Sequence, residues 1–383
     1  MTAGAVPRPF EWSGFAGPAT RDRVQAMLSR HPGIALVAAS PDILGGQGVQ
    51  ATALAAALRA EGVAVTFIPI DPRFPSGLRW LRRRRYVRTL LNEMLYLPSL
   101  ARFRRADVAH IFSASYWSFL LAPAPAITMA RALRKRVILH YHSGEAEDHL
   151  ARWGALVHPW LRLVDEIVVP SDYLREVFAR HGYRARVIRN IVDLSRFRYR
   201  ERTPLRPRLL STRNFEHHYR VDTTLKAFAL LKRRYPGATL TVAGHGSGES
   251  GLRRMADRLG VDGIRFAGRV EPEAMPALCD QADIFVNSSV VDNQPVSILE
   301  AFASGLPVVS TATGDIKAMV RGGETGVLVP SGAPEETARA IATLLEQPQR
   351  ALLMARRARM EVGEYAWPSV REAWAAAYAG GAA

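Results

Sequence analysis

The stretch VVDNQPVSILEAFASGLPVV, residues 290 to 309, sets Asp292 into apolar sequence, turns at Pro295 and places a second acid, Glu300, eight positions after the first. Each acid has two readings on spacing alone. Asp292 either faces a ligand or fixes the turn. Glu300 either lines a site or completes a capping box, S-I-L-E, in which Ser297 caps a helix and Glu300 reaches back to its amide.

Other candidates are spread along the chain. Arg213 ends an apolar run, with His217, His218 and Arg220 following before a helical pattern at 221. An arginine there suits a diphosphate through charge-assisted, forked hydrogen bonds, or is one more surface arginine in a basic protein. HYHSGE, residues 140 to 145, would aim His142 or Glu145 from a strand end, although a lone histidine there is more often structural. GGQG, residues 45 to 48, follows one apolar run and opens a helical pattern. It reads as a phosphate or acceptor loop at a helix N-terminus or as a tight turn, because the spacing is not the six-residue dinucleotide fingerprint. AGHGSGE and FAGRV, at 243 and 266, also turn through glycine after apolar runs.

These residues need strands to carry them. Apolar runs alternate between strand-like and helix-like periods along the chain, the pattern of parallel sheets with crossover helices. The first half predicts strands at GIALVAAS, VAVTFIPI, DVAHIFSA, RVILHYHS, EIVVPS and RARVIRN. After the proline-bearing RYRERTPLRPR the alternation restarts with LLSTRN, ATLTVAGHG, IRFAGRV, ADIFVNSS, PVVSTA and GVLVP. The expected architecture is α/β, two doubly wound Rossmann-like domains facing a central cleft. Their expected spans are 1–200 and 205–365, with a helix at 366–383 that can pack back on the first domain. Ligands of such sheets bind outside the carboxyl ends of the strands, where the candidate residues fall.

Composition agrees with this organisation. A chain of 383 residues suits two cores, and 48% hydrophobic with 22% charged residues suits a globular protein. The lone Cys279 excludes an internal disulfide and a multi-cysteine metal site. The first residues, MTAGAVPRPFEWSGFAG, lack a basic start followed by an apolar run, so no cleaved signal is expected there. Ile111 to Ala130 contains no charged residue, but its serines and prolines favour a strand, a loop and a helix start over a membrane span.

The net charge of +16 is uneven, with nine arginines between Arg79 and Arg105 against Glu93 alone. That segment has two readings. Val87, Leu90, Leu91, Met94 and Leu95 share one face of a helix, which suits an anionic membrane surface flanked by arginines, or a core helix with a solvated basic face. A nucleic-acid binder is a weaker alternative, because the arginines interleave with apolar residues at helical spacing and no nucleic-acid motif is present.

The run D-N-Q-P-V-S-I-L-E-A-F-A-S-G-L-P-V-V resembles the glutamate, seven residues, glutamate signature of the retaining glycosyltransferases of family 4, which have the GT-B fold. The likeness extends through its A-x-A-x-G-x-P-V-V tail. GGQG, His142, VVPSDYLREVF, RNIVDLSRF, Arg213, AGHGSGE, FAGRV and GVLVP follow in the family's order, so the resemblance spans roughly residues 33 to 365.

The resemblance implies roles. Glu300 would hold the ribose hydroxyls of a nucleotide sugar, Asp292 would contact the sugar, Arg213 would clamp the diphosphate, and His142 would line the donor sugar. The backbone near Val270 would form the base pocket, with Gly46 and the helix start at Val296 and Ser297 also on the donor. Three departures stand out: Asp replaces Glu at 292, Tyr219 and Arg220 stand where many members have a lysine, and Pro295 removes an amide. Arg220 is the expected second clamp, with Lys226 behind it.

The implied reaction moves a sugar from a nucleotide-diphosphate donor to a hydroxyl with the anomeric configuration kept, by stabilising the departing diphosphate rather than through a covalent nucleophile. The acceptor would be a lipid-linked or glycan precursor. An epimerase of the same architecture is the alternative enzyme. No D-x-D pair stands at a strand end, so no cofactor and no essential metal is expected. The expected location is cytoplasmic and peripheral on the inner face of the membrane, with no nucleic-acid partner.

Overall fold

The computed structural model describes residues 33–40, 45–75, 77, 80, 85–113 and 115–380. The N-terminal residues read above for a signal, together with Arg79 and Arg82 to Arg84, lie outside them.

Short apolar runs bounded by glycine, proline and polar turns become strands, the central ones buried on both faces as parallel sheets require and the edge ones partly exposed. The first sheet contains β1 (Gly33–Ala38), β2 (Ala64–Pro69), β3 (Val108–Ser113), β4 (Arg136–Tyr141), β5 (Glu166–Val169) and β6 (Arg186–Val187). Their order is β2-β1-β3-β4-β5-β6, all parallel. Every residue of β1 and β3 is buried. The second sheet contains β7 (Arg208–Thr212), β8 (Thr239–Ala243), β9 (Ile264–Gly268), β10 (Ile284–Asn287), β11 (Val308–Thr311) and β12 (Val327–Val329). Its order is β12-β11-β10-β7-β8-β9, again parallel.

Strand order reverses direction between β1 and β3 in one sheet and between β7 and β10 in the other. At such a point the crossovers leave to opposite faces and a crevice opens at the carboxyl ends. Two helices begin at these crevices: α1 (Gly46–Ala60) beside β1, and, after β10, the helix Val296–Ser304.

The uncharged segment 111–130 divides into the end of β3 and two helices, Trp117–Leu121 and Pro123–Ala132. Among the described residues no helix is long and apolar enough to cross a membrane. The helix α2 (Arg85–Ser99) is tied down by Tyr96, which is fully buried and donates to the Ala122 carbonyl at 2.8 Å. Its opposite face points outward, with Val87 40%, Leu90 64%, Met94 61% and Leu97 44% exposed. Of the expected apolar face, Val87, Leu90 and Met94 point outward, while Leu91 and Leu95 are half-buried on the side of Tyr96.

The last helix, Trp367–Ala379, packs against the first sheet, where Trp367, Trp374 and Tyr378 join Leu36, Leu54 and Ile138 in one core. Trp367 Nε1 donates to Glu61 at 2.9 Å, and Arg136 donates to the Ala377 carbonyl. Deleting a buried indole of this kind costs about 3–5 kcal/mol, so Trp374 anchors the helix.

Side chains also join the two sheets. Asn190 N donates to Gln294 Oε1 at 2.7 Å, Asn190 Nδ2 donates to the Gln294 carbonyl at 2.8 Å, and Gln294 Nε2 donates to the Pro170 carbonyl at 2.8 Å. Ser171 bonds Asn293 across the same junction, and within the first domain Gln50 of α1 exchanges two hydrogen bonds with the Ile191 backbone next to Asn190.

Candidate active site in the cleft between the sheets

A cavity of about 430 Å³ lies between the carboxyl ends of the two sheets, within the usual size range of small-molecule clefts. Gly45, Gly46, Gln47, Ser113 and His142 line it from the first sheet. The second contributes Arg213, Tyr219, Val270, Asp292, Val296, Ser297 and Glu300.

Local chain geometry explains why Arg213 and Asp292 meet. Arg213 follows β7 and Asp292 follows β10, adjacent strands at the switch point of the second sheet. Two glycines let neighbouring loops press against them. A Cβ on Gly314, whose φ is +51°, would stand 1.9 Å from the Asp292 carbonyl oxygen. One on Gly244 would stand 2.1 Å from that of Arg213. Across the cleft, a Cβ on Gly144 would come 3.2 Å from the Asp292 carbonyl carbon, so the HYHSGE loop closes directly over this turn.

The Arg213 guanidinium is about nine-tenths buried and ion-paired with Asp292. Its Nη1 donates to Ser297 Oγ at 3.2 Å, and the Tyr219 ring centroid lies 4.2 Å from its Cζ. Asp292 also accepts from the Asn293 amide at 3.0 Å. Burial pushes the Glu300 carboxyl up to about 7, against the opposing pull of the Arg196 and Arg213 charges. Arg196 in turn donates to the Pro272 carbonyl on the cavity wall.

His142 has the opposite character. Burial drives its pKa down to about 3, so the ring facing the cleft is neutral. Behind it stand His140, with ring centroids 4.1 Å away, then His110, then Tyr378 of the last helix, whose hydroxyl lies 2.8 Å from His110 Nδ1. Burial lowers His140 and His110 as well, keeping the column uncharged.

Among the described residues, six buried side-chain atoms on the cavity wall find no hydrogen-bond partner: Gln47 Nε2, His142 Nε2, Asn190 Oδ1, Thr212 Oγ1, Arg213 Nε and Asn293 Nδ2. Unpaired buried polar atoms are costly, and their concentration in one cleft marks it as built for a polar ligand. The Val296 and Ser297 amides at the start of the helix Val296–Ser304 add donors without intrahelical partners, whereas Ile298 N is taken by the Pro295 carbonyl. Arginine and helix N-terminus together favour an anion, while two acids and neutral polar groups suit hydroxyls.

Sequence reasoning placed most of this site. His142, Arg213, Asp292, Glu300, Gly46, Val270, Val296 and Ser297 all line the cavity. Arg220 does not, and that expectation is corrected. Its backbone is left-handed, with φ of +48°, and its guanidinium is held by Asp222 at 2.9 and 3.2 Å. Lys226 is bound to the same carboxylate at 3.4 Å and is no substitute. The capping box is corrected too: the helix starts at Val296 behind Pro295 with no side-chain cap, leaving Ser297 to receive Arg213. Gln294, Asn190 and Gly314 went unrecognised. The Gly-Asp pair after PVVSTAT was the available signal for Gly314, whereas nothing local marks a hydrogen bond spanning 104 residues.

Two parallel Rossmann-like sheets facing across such a cleft make the GT-B architecture. The profile described as glycosyl transferases group 1 matches residues 196–361, and that described as glycosyltransferase family 4 matches residues 44–196. The chain is 31% identical over 293 residues to a glycogen synthase of Mycobacterium tuberculosis, covering 72% of this chain and 69% of the relative. It therefore belongs to this glycosyltransferase family and is a glycosyltransferase. A GDP-mannose-dependent alpha-(1-6)-phosphatidylinositol monomannoside mannosyltransferase of the same organism is 28% identical over 302 residues, 70% of this chain and 76% of the relative. The crystal structure of Anabaena Alr3699/HepE in complex with UDP and glucose superposes with a TM-score of 0.69 at 17% identity, covering 91% of this chain and 99% of that one.

Proposed function

We propose that the enzyme moves a hexose from a nucleotide-diphosphate sugar to a hydroxyl of a lipid-linked or glycan precursor, with retention of the anomeric configuration. The observation that supports this best is Arg213: a buried guanidinium whose Nε has no partner, beside a helix N-terminus and between two acids. In this reading Arg213 and the Val296 and Ser297 amides stabilise the departing diphosphate, the largest usual contribution to such a step. Glu300 receives the ribose hydroxyls, Asp292 the sugar hydroxyls, and the wall near Val270 the base. Neutral His142 faces the sugar from the other sheet. The positive charge for the leaving group comes from protein, so no divalent ion is required. Activity retained in EDTA agrees with that, and complete loss removes it.

The lipid-linked acceptor is supported by the relative that acts on a phosphatidylinositol mannoside and by α2. Its outward row of Val87, Leu90, Met94 and Leu97 can lie in an anionic bilayer surface, with Arg88 beside it. Incubation with labelled UDP and GDP sugars, with and without extracted lipid, tests the transfer. An acceptor-dependent product with the donor's anomeric configuration supports it, and an inverted product refutes retention. Sedimentation with anionic vesicles at low salt, release at high salt and loss on changing Arg82 to Arg85 to Gln are the expected signs of docking. Equal recovery of wild type and variant in the supernatant removes the membrane from the proposal.

A further inference from the structure

The 217–220 turn places an aromatic ring against the arginine of the cleft. Tyr219 lines the cavity with its ring under the Arg213 guanidinium, 4.2 Å from Cζ to ring centroid. The turn that carries it is pinned from the segment just after β10: Val290 N donates to the His218 carbonyl at 2.8 Å, and Ser288 Oγ donates to the Arg220 carbonyl at 2.6 Å. Thr224 Oγ1 lies 2.8 Å from Ser288 Oγ and ties the following helix to the same point. The left-handed backbone at Arg220 then reverses the chain, sending Arg220 out to Asp222 and leaving Tyr219 inside. Arg213 therefore lines the cavity without help from Arg220 or Lys226.

We propose that Tyr219 is a positioning residue for the diphosphate clamp: its ring fixes the plane of the Arg213 guanidinium, so that the edge left unpaired at Nε meets phosphate without reorganising. This rests on the reading of the cleft as a nucleotide-diphosphate site. Stacking occupies the face of a guanidinium, whereas anions bind its edge, so the two contacts do not compete. Asp292 and Ser297 take the Nη groups, and the ring blocks rotation away from them. A second cation would add charge at this place, and an aromatic ring supplies orientation instead.

The test compares wild type, Tyr219→Phe and Tyr219→Leu in the full chain, titrated with UDP and UMP and with GDP and GMP. The ratio of diphosphate to monophosphate affinity isolates the clamp from the base and ribose contacts. Tyr219→Leu is expected to lower that ratio roughly 10-fold, and Tyr219→Phe, which keeps the ring, to hold it within about 3-fold. Monophosphate affinity stays alike in all three, which a merely structural collapse would not allow. An unchanged ratio in Tyr219→Leu overturns the proposal, as does an equal loss in Tyr219→Phe, which would assign the effect to the hydroxyl. A wild type that binds none of the four nucleotides overturns the underlying reading of the cleft, a result distinct from either.

Discussion

Where β1, β3 and β4 end, the cleft wall is glycine, glutamine, serine and a histidine kept neutral by burial; where β7 and β10 end, it is an arginine ion-paired to an aspartate with Glu300 beside them. Among the described residues, Glu145 is the charged exception on the first side. Both walls come from the same kind of sheet at the same kind of switch point, so topology alone does not assign the chemistry. What differs is the loop that follows each strand. On the first side GGQG and HYHSGE bring backbone and uncharged rings close. On the second, Gly244 and Gly314 let the loops pack so tightly that Arg213 and Asp292 are forced together. The comparison teaches that the same sheet topology can carry a charged wall on one side of a cleft and, among the described residues, a mostly neutral polar wall on the other, because the loops after the strands differ.

The sharpest way to break that contrast is Arg213→Ala. It removes the charge facing the ligand and strands a buried Asp292, so kcat/KM for the donor is expected to fall on the order of 1000-fold with the fold kept, as steady-state kinetics and circular dichroism would read. Unchanged donor kinetics would take the charged wall out of the reaction.

Asp292→Ala comes next, with turnover lower on the order of 100-fold if its contacts strengthen in the transition state. A folded variant with full turnover would leave the aspartate as a turn residue and Arg213's tether only.

Glu300 sharpens the comparison through pH. Its carboxyl sits at about 7 in the free enzyme against an ordinary 4.5. Ribose hydroxyls favour the ionised form, so nucleotide affinity is expected to fall as pH drops through 7 and to recover above it. Glu300→Gln flattens that limb at the cost of weaker binding above pH 7, roughly 10-fold. Stability runs the other way. An acid raised by burial penalises the folded state above pH 7 and ceases to do so below 4.5, so Glu300→Gln raises Tm at pH 8 and leaves it unchanged near pH 4.5. Titration calorimetry and thermal melts across this range check both, and a pH-independent affinity in the wild type contradicts the first.

The smallest effect is expected at His142. Because its ring is already neutral, His142→Gln keeps a neutral polar group and is expected to lower kcat less than about 10-fold, with the pH profile between 5 and 8 unaltered. A loss as large as that of Arg213→Ala, or a new pH limb, would erase the contrast between the walls.

Much of this was legible in the chain. The strands were readable because each is a short apolar run closed by glycine, proline or a polar pair, and burial on both faces leaves no other use for such runs. Arg213 and Asp292 were readable as cleft residues because they follow strands, where the backbone stops pairing, and Glu300 because it sits on the helix that follows Asp292 and starts at the same cleft. Arg220 was misplaced because spacing says that a basic residue is near, not which way it points. The left-handed backbone at 220 and the carboxylate of Asp222 two residues on decided the direction. Glu300 was assigned a possible cap for the same reason, since S-I-L-E has the right spacing and only the position of Pro295 relative to the helix start excludes it.

By itself, then, the sequence determined the two parallel sheets, the strand ends that bear the charged groups and the amphipathic helix of the arginine segment, because periodicity and local backbone preference act over a few residues. Tertiary structure decided which residues of that helix's apolar face turn outward and which are half-buried, that Tyr219 packs against Arg213 while Arg220 turns to Asp222, that Asn190 and Gln294 join the two sheets, and which core the last helix enters. Each of those depends on groups far apart in the chain competing for one space, and only the packed molecule settles which of them fits.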